Sequence, residues 1–472
     1  MIMIWLLIAT VAVSYGWGMR GTLLGHGKGA MLPGALLGIC IAYLSGDLVM
    51  QECWLYFAAV GAAAMYFGGG MTYGQTIGLV IKKDANQRFK HGVFGLSLKG
   101  FMWFGLAAAY LAFATQAFFN TIYSTAEIIV AALAPIALGL IGDQIFNRPW
   151  DQKAGRYPKI YFSLGRRESW GGYLLAMLGI CVLAAINGDA FTLVMTAVSA
   201  IGGAIGWFVA ILFYYISEYP LKNGKYLFGK LKEKKLIGGW KIMECTLGAI
   251  GGLMTCVGFL IARAVQNPLE GFWSAALSSV DPALPIVVKP AISGALEIVL
   301  LIVWLALAVF DMWFERSRFG EKYDELASNV ANGDTLSQAI FGNLSLLLVM
   351  LGSYRACALT AGALIFWVVA EKMCVESLKG YKGLGIITVW AVLSSVVMLV
   401  LPLANVDLPL WVYVVLYTVV YETLSLIKNY RKNTWADARQ NGLAATYGSR
   451  LTVDSYFILT IILTCLLMFL NI

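Results

Sequence analysis

The sequence predicts an all-α polytopic membrane protein with about 14 transmembrane helices, arranged as three parallel four-helix repeats plus a flanking helix at each end. Three observations lead to this fold class: an apolar composition, long continuous apolar runs, and lysines and arginines confined to alternate loops. We expect a single integral membrane domain over residues 1–472. The expected parts are repeat units at about 31–145, 171–314 and 337–427, with flanking spans at 2–18 and 454–471.

The composition excludes most soluble classes of protein. Of 472 residues, 60% are hydrophobic and 13% are charged, whereas soluble domains are about 45–50% apolar and about 25% charged. A disordered chain, a collagen-like fibre, a small disulfide scaffold and an ordinary cytosolic enzyme are therefore ruled out. With only two histidines and no C-x-x-C pair among eight cysteines, the sequence predicts no metal site and no cofactor.

Long apolar runs predict the spanning helices. A hydrocarbon core of about 30 Å needs about 20 apolar residues in a helix, and the runs are continuous, unlike the alternating strands of a membrane barrel. The candidate spans are 2–18, 31–46, 54–80, 98–119, 124–145, 171–187, 190–217, 240–263, 290–314, 337–352, 356–374, 383–403, 408–427 and 454–471.

The basic residues predict the orientation. Lysine and arginine accumulate in cytoplasmic loops of membrane proteins. With the N-terminus outside, all 34 of them except Arg263, Lys289 and Arg355 fall at the inner side of the membrane. The net charge of +8 is thereby explained by topology, and nucleic acid is not expected as a partner. We expect a protein of a bacterial-type inner (plasma) membrane, with membrane lipids as partners.

Short matching segments predict internal duplication. Ala35–Cys40 leads to Gly46-Asp47, and the similar Ala176–Cys181 leads to Gly188-Asp189. These matches fit one frame, in which spans 2–5, 6–9 and 10–13 form related units with the same orientation. Transporters use both parallel and inverted repeats, while chance similarity between helices rich in leucine, glycine and alanine is the alternative.

Four carboxylates in two equivalent spans are candidates for ion coupling. Glu127 and Asp143 lie in the fifth span, and Glu297 and Asp311 lie in the ninth. Because a charged group at the membrane centre costs about 2.5–3.5 kcal/mol, such groups are expected to face a cavity or a partner. They indicate either a relay for H⁺ or Na⁺ or, alternatively, residues that cap helix ends at the interface.

The segment Gly16–Gly34 is the candidate substrate-binding hairpin. It is rich in glycine and carries Arg20, His26 and Lys28. Glycines let backbone N–H groups approach an anion, and arginine adds a two-pronged donor. The segment therefore indicates a site for a carboxylate or phosphate at the cytoplasmic end of the first two spans. Tight helix packing with basic residues anchoring the inner face is the alternative.

The third apolar run contains consecutive glycines between Gly68 and Gly78, and Gln75 adds a polar side chain. Glycine weakens a helix, so this run predicts a broken span whose freed backbone and Gln75 line a solute path. Close packing is the other interpretation, and it is the one expected for Gly202-Gly203 and Gly251-Gly252.

Together these features favour a secondary transporter for a small, anionic solute, coupled to H⁺ or Na⁺, over an enzyme. Arg20, His26, Lys28 and Gln75 would bind the solute. The alternative is a membrane-embedded transferase that acts on a lipid-linked or acyl substrate at the cytoplasmic face, although no catalytic motif or metal ligand set is present to favour it.

Overall fold

The structure is a computed structural model. It describes residues 2–20, 26–69, 71, 73–82, 88–118, 122–151, 153–163, 167–220, 223–226, 229, 238–266, 294–316, 338–353, 355–361 and 393. The predicted spans 408–427 and 454–471 lie outside the described residues, as do most of 356–374 and all of 383–403 except residue 393.

The described residues are mostly helical and include no β-strand. The helices are α1 (Ile2–Met19), α2 (His26–Leu44), α3 (Leu48–Glu52), α4 (Trp54–Gly69), α5 (Gly74–Ile81), α6 (Phe89–Phe118), α7 (Thr125–Phe146), α8 (Trp170–Ile186), α9 (Ala190–Glu218), α10 (Gly239–Gln266), α11 (Gly294–Arg316) and α12 (Ser345–Met350), the last preceded by a π-helical segment (Ala339–Leu344).

Four of the described helices, α6, α7, α9 and α10, are long and apolar enough to cross a membrane, and several shorter helices are also apolar. Helices α7, α8 and α9 expose large apolar side chains, among them Ile145, Val182 and Ile201. An extended apolar surface of this kind needs a lipid or protein covering. These features indicate a helical protein embedded in a membrane.

Six helices pack in a closed circuit. The order is α1, α2, α4, α6, α9 and α10, and α10 returns to α1. The interior of the circuit is filled by aromatic rings, since Trp17 stacks on Phe104 with centroids 5.9 Å apart and Phe104 occupies the space beside Gly251. Helices α7 and α8 pack against each other outside the circuit, and α8 also contacts α6.

Glycines allow the helices to approach closely. A Cβ atom at Gly34 would collide with the carbonyl group of Gly61, and one at Gly100 would collide with the carbonyl group of Gly203. Small residues commonly permit such contacts between membrane helices. The packing role predicted for the glycine pairs at 202–203 and 251–252 is confirmed, because side chains or backbone of neighbouring helices fill the space beside each of them.

The third predicted span is broken. Helix α4 ends at Gly69 and α5 begins at Gly74, and Met71 and Tyr73 between them are not helical. The interruption falls in the glycine-rich stretch, which confirms the predicted break. Gly68 also serves packing, because a Cβ atom there would lie 2.7 Å from Cδ1 of Trp103. The break and the packing role therefore both occur in this segment, and the solute path stays a prediction.

The same tight turn occurs at three places in the described part of the chain. In each, a glycine in the left-handed region of φ is followed by a residue whose side chain caps the next helix. Glycine is favoured there because it has no Cβ penalty at positive φ. The pairs are Gly46-Asp47 (φ 70°), Gly188-Asp189 (φ 67°) and Gly352-Ser353 (φ 85°).

Candidate functional site

Two clusters of side chains that contain buried polar groups lie near the break between α4 and α5. We call the first the Arg20 cluster; its members are Trp17, Arg20, Tyr73, Trp103, Trp207, Trp240, Lys241 and Glu244. We call the second the Asp143 cavity; it is lined by Phe67, Ile136, Gly139, Leu140, Asp143, Ser169, Gly172, Tyr173, Gln338, Ala339 and Asn343.

Arg20 follows α1 and is almost completely buried, with 2% of its surface exposed. Its Nη1 atom donates to the hydroxyl of Tyr73 at 2.6 Å, and Nη2 donates to the carbonyl of Gly69 at 3.4 Å. The guanidinium carbon lies 5.2, 4.9 and 4.6 Å from the ring centroids of Trp17, Tyr73 and Trp103. Aromatic faces at these distances stabilise the buried cation.

Glu244 is the acidic member of the Arg20 cluster and is 1% exposed. It accepts hydrogen bonds from the Tyr73 hydroxyl at 3.2 Å, from Nε1 of Trp240 at 2.8 Å and from Nζ of Lys241 at 2.9 Å. Lys241 also donates to the carbonyl of Gly18. Glu244 is thus neutralised by Lys241, and it reaches Arg20 only through the hydroxyl of Tyr73.

Several hydrogen-bond donors in the Arg20 cluster have no acceptor among the described residues. Among the described residues, Nε of Arg20 and Nε1 of both Trp17 and Trp207 are buried without an acceptor, and no described carboxylate forms an ion pair with Arg20. An unpaired buried donor costs about 1–3 kcal/mol. Within the described part of the cluster, Arg20 and Lys241 outnumber the single acidic group. The arrangement therefore suits an anionic ligand.

The start of α5 adds to this positive character. The N-cap residue, Tyr73, makes no side-chain capping bond, and the first N–H groups of a helix carry a partial positive charge. Gln75, a predicted solute ligand, lies in this first turn, is half-buried, and has no hydrogen-bond partner for Oε1 among the described residues. The structure therefore brings Arg20 and Gln75 to the same helix break.

The other two predicted solute ligands, His26 and Lys28, lie in the first turn of α2. Their side chains fall outside the described residues. Of the three cations in the predicted binding hairpin, only Arg20 therefore has a described side chain.

The Asp143 cavity lies between α7, α8, the π-helical segment and the last turn of α4, and the space within it that a water-sized sphere can occupy is about 40 Å³. Its walls are mostly apolar, with a few polar side chains. A space of this size has room for a small ion or a few water molecules.

Asp143 is paired with Arg167, and not with its sequence neighbour Arg148. Oδ2 of Asp143 accepts from Nη2 of Arg167, and both side chains are at least 97% buried. Burial lowers the pKa of Arg167 to about 10, although Asp143 acts in the opposite direction, so Arg167 is still protonated at neutral pH. The second oxygen, Oδ1 of Asp143, has no hydrogen-bond partner among the described residues.

Asn343, in the π-helical segment, also lines the cavity and carries a second unpaired oxygen. Its Nδ2 atom donates to the carbonyl of Ala132 at 2.9 Å and bonds to the hydroxyl of Tyr110 at 3.1 Å. This fixes the orientation of the amide, because the carbonyl can only accept. Oδ1 of Asn343 is fully buried and has no described partner, as is also true of the amide nitrogen of Gln338 nearby.

Two of the other three predicted carboxylates have structural partners. Glu127 forms a capping box with Ser124 at the start of α7. Glu297 is buried and accepts from Ser353 at 2.6 Å and from Arg355 at 2.7 Å. Asp311 lies in α11, but its side chain is outside the described residues. Of the three described carboxylates, only Asp143 lines the Asp143 cavity.

Sequence reasoning missed a buried ion pair beside these clusters. Nζ of Lys99 lies 3.1 Å from Oε2 of Glu168 and donates to Oγ1 of Thr76 at 2.9 Å. Lys99 is completely buried, whereas its position near the start of a predicted span placed it at the inner surface. Glu168 and Thr76 carry no sequence signal for this contact, which only the packing of α5, α6 and the loop before α8 creates.

Within the described residues, no group of three or more histidine, cysteine, aspartate or glutamate side chains is arranged to hold a metal ion. No family model, curated protein or solved structure matches this chain.

Proposed function

We propose that the protein is a secondary transporter that moves a small anionic solute across a bacterial-type inner membrane, coupled to H⁺ or Na⁺. The observation that carries this proposal is the environment of Arg20. This cation is buried at a helix break without an ionic partner among the described residues, and it is surrounded by N–H donors that lack acceptors.

The geometry of the broken span supports an anion as the solute. In transporters with discontinuous helices, the N-terminus of a half-helix points at the anionic group of the substrate. Here α5 begins at Gly74, directly after Tyr73, and Tyr73 accepts from Arg20. We assign the solute anion to Arg20 and the first turn of α5, with Gln75, His26 and Lys28 as further ligands.

Asp143 is the carboxylate best suited to couple an ion gradient. It is buried and lines a cavity, and one of its oxygens has no described partner. The capping box of Glu127 and the ion pair of Glu297 give those two residues structural roles. Asp311 stays a candidate by its equivalent place in the predicted repeat.

The proposed topology has about 14 spans in three parallel repeat units, with the N-terminus outside. The recurrence of the glycine turn at Gly46, Gly188 and Gly352 supports the repeat frame, because each turn joins the first two spans of one proposed unit. The gathering of Arg20, Lys99, Arg167 and Lys241 near the same helix break supports a common cytoplasmic end.

The experiment is solute-driven current in proteoliposomes on a solid-supported membrane. The probes are acetate, lactate, succinate, glutamate, phosphate and sulfate, each tested with inward Na⁺ and H⁺ gradients. We expect the wild type to give a transient current with one of these anions, and Arg20→Ala to abolish it while still inserting. Arg156→Ala, which changes an exposed arginine, is the matched control and should behave as wild type.

A wild-type signal in Arg20→Ala would refute the assignment of the anion site. The transferase alternative makes a different prediction for the same preparation. It requires a modified product from a lipid-linked or acyl substrate in the absence of any gradient, together with no current from the anion panel.

A further inference from the structure

We infer that the Asp143 cavity is a sodium site in which Oδ1 of Asp143 and Oδ1 of Asn343 are the side-chain ligands. The inference rests on the proposed function, because a sodium site would identify Na⁺ as the coupling ion of the transporter. The binding itself can be measured without any solute or gradient.

The first argument is the chemistry of the unpaired atoms. Both Asp143 and Asn343 are at least 98% buried, line the same cavity, and leave one oxygen without a partner among the described residues. Buried polar atoms are nearly always satisfied by protein, water or a ligand. Hard cations prefer carboxylate and amide oxygens, so a cation satisfies both atoms at once.

The second argument is that other residues hold the remaining polar atoms of the two ligands. Nη2 of Arg167 occupies Oδ2 of Asp143, so that Oδ1 is the oxygen left for a ligand. The amide nitrogen of Asn343 is held by Ala132 and Tyr110, so that its oxygen is the atom left for a ligand. An amide oxygen does not take up a proton at neutral pH but readily coordinates a metal ion. The pair therefore favours Na⁺ over H⁺.

The third argument is the helix end beside the cavity. Phe67 lines the cavity and lies in the last turn of α4, which ends at Gly69. The C-terminus of a helix carries a partial negative charge, and the C-terminal ends of half-helices coordinate Na⁺ in transporters with broken spans. The carbonyl of Gly69 itself is held by Arg20, and the turn before it, which contains Phe67, lies beside the cavity.

The third unpaired group of the cavity, the amide nitrogen of Gln338, is a donor. It suits a water molecule that completes the coordination of the ion, because water can accept from the amide and bind the cation through the same oxygen. Since Arg167 already neutralises Asp143, the site is expected to bind Na⁺ weakly enough to release it.

The test is equilibrium binding of ²²Na⁺ to the purified full-length protein in detergent, at constant ionic strength with N-methylglucamine chloride. We expect saturable binding in the wild type and at least a tenfold loss of affinity in Asp143→Asn, which keeps an oxygen for Arg167 but removes the charge. In case that variant does not fold, Ala339→Leu fills the cavity without touching the ion pair and should also abolish binding. Leu178→Phe, at an exposed position on α8, is the control that should bind as wild type.

Absence of saturable ²²Na⁺ binding in the folded wild type would overturn the inference and leave water as the occupant. Unchanged binding in a folded Asp143→Asn or Ala339→Leu variant would overturn it as well. Binding without any anion transport would remove the carrier proposal but keep the sodium site. Transport driven by a pH gradient, without ²²Na⁺ binding, would remove the sodium site alone.

Discussion

Arg20 donates a hydrogen bond to the hydroxyl of Tyr73 at 2.6 Å and thereby joins the end of α1 to the break in the third apolar run. Sequence reasoning singled out these two segments separately, one for its cations and glycines and the other for its weak helix. Their contact explains why both occur in one chain. A cation at a helix break can be held by backbone carbonyls and a hydroxyl, and this leaves its charge available to a ligand.

The first prediction concerns the hydroxyl of Tyr73. Tyr73→Phe removes the link between Arg20 and Glu244, and a hydrogen bond to a charged group contributes about 1.5–3 kcal/mol. We expect the apparent affinity for the transported anion to fall about tenfold or more, with the maximal rate changed less. Half-saturation of the proteoliposome current measures this effect.

Tyr43→Phe is the matched control for Tyr73→Phe. Tyr43 lies in the last turn of α2, where its ring packs on Trp5 with centroids 4.9 Å apart. We expect this variant to keep wild-type affinity. Equal effects of the two substitutions would mean that Tyr73 acts through packing and not through its hydroxyl.

The second prediction concerns the buried pair of Lys99 and Glu168. Lys99→Met leaves Glu168 as an uncompensated buried charge, so we expect a loss of stability of about 3–5 kcal/mol. Adding Glu168→Gln should restore most of that loss, because the double variant contains no unpaired charge. The stabilities of the wild type, both single variants and the double variant form a double-mutant cycle, and thermal unfolding in detergent measures them. A double variant no more stable than Lys99→Met would contradict this account.

Much of the fold could be predicted because helix position depends on local apolar pattern. The runs 2–18, 124–145 and 190–217 agree with α1, α7 and α9 to within a few residues. The break after Gly69 could also be predicted, since consecutive glycines weaken a helix through the backbone alone. Such features depend only on residues that are neighbours in the sequence.

The partners of the buried charges could not be predicted in the same way. Asp143 has Arg148 five residues later, but its partner is Arg167, 24 residues away. Asn343 is more than 200 residues from Ala132, whose carbonyl fixes its amide. These contacts depend on which helices become neighbours, and the apolar pattern that defines a span says little about the span that packs beside it.

The third prediction concerns the crossing of α2 and α4. A Cβ atom at Gly34 would collide with the carbonyl of Gly61 and would lie 2.7 Å from Cβ of Met65. Because helix backbone cannot yield locally, we expect Gly34→Ala to destabilise the protein by about 1–3 kcal/mol. The change is measured as a lower midpoint of thermal unfolding and a reduced yield of monodisperse protein.

Gly78→Ala provides the comparison for Gly34→Ala. Gly78 lies inside α5, and a Cβ atom there would meet only the side chain of Lys82, at an ordinary distance of 3.7 Å. Alanine also has the higher helix propensity. We expect this variant to be neutral or slightly more stable than wild type. If both variants lose the same stability, close contact is not the reason for glycine at position 34.

The fourth prediction compares two equivalent turns of the proposed repeat. Asp47 and Asp189 both cap a helix after a left-handed glycine. Asp189 in addition accepts from Nε2 of Gln116 at 3.2 Å and from the hydroxyl of Tyr123 at 2.6 Å. Burial raises the pKa of Tyr123, so this hydroxyl remains a donor at any physiological pH.

Replacing each aspartate by alanine should therefore have unequal effects. Asp47→Ala removes a cap and should cost about 1 kcal/mol. Asp189→Ala removes a cap and also the acceptor of three buried side-chain donors, those of Gln116, Tyr123 and Thr192, so we expect a loss of about 3 kcal/mol or more. Thermal unfolding of the two variants under the same conditions measures the difference. Equal losses would show that the bonds from Gln116, Tyr123 and Thr192 contribute little, and that the two turns are equivalent in energy as well as in shape.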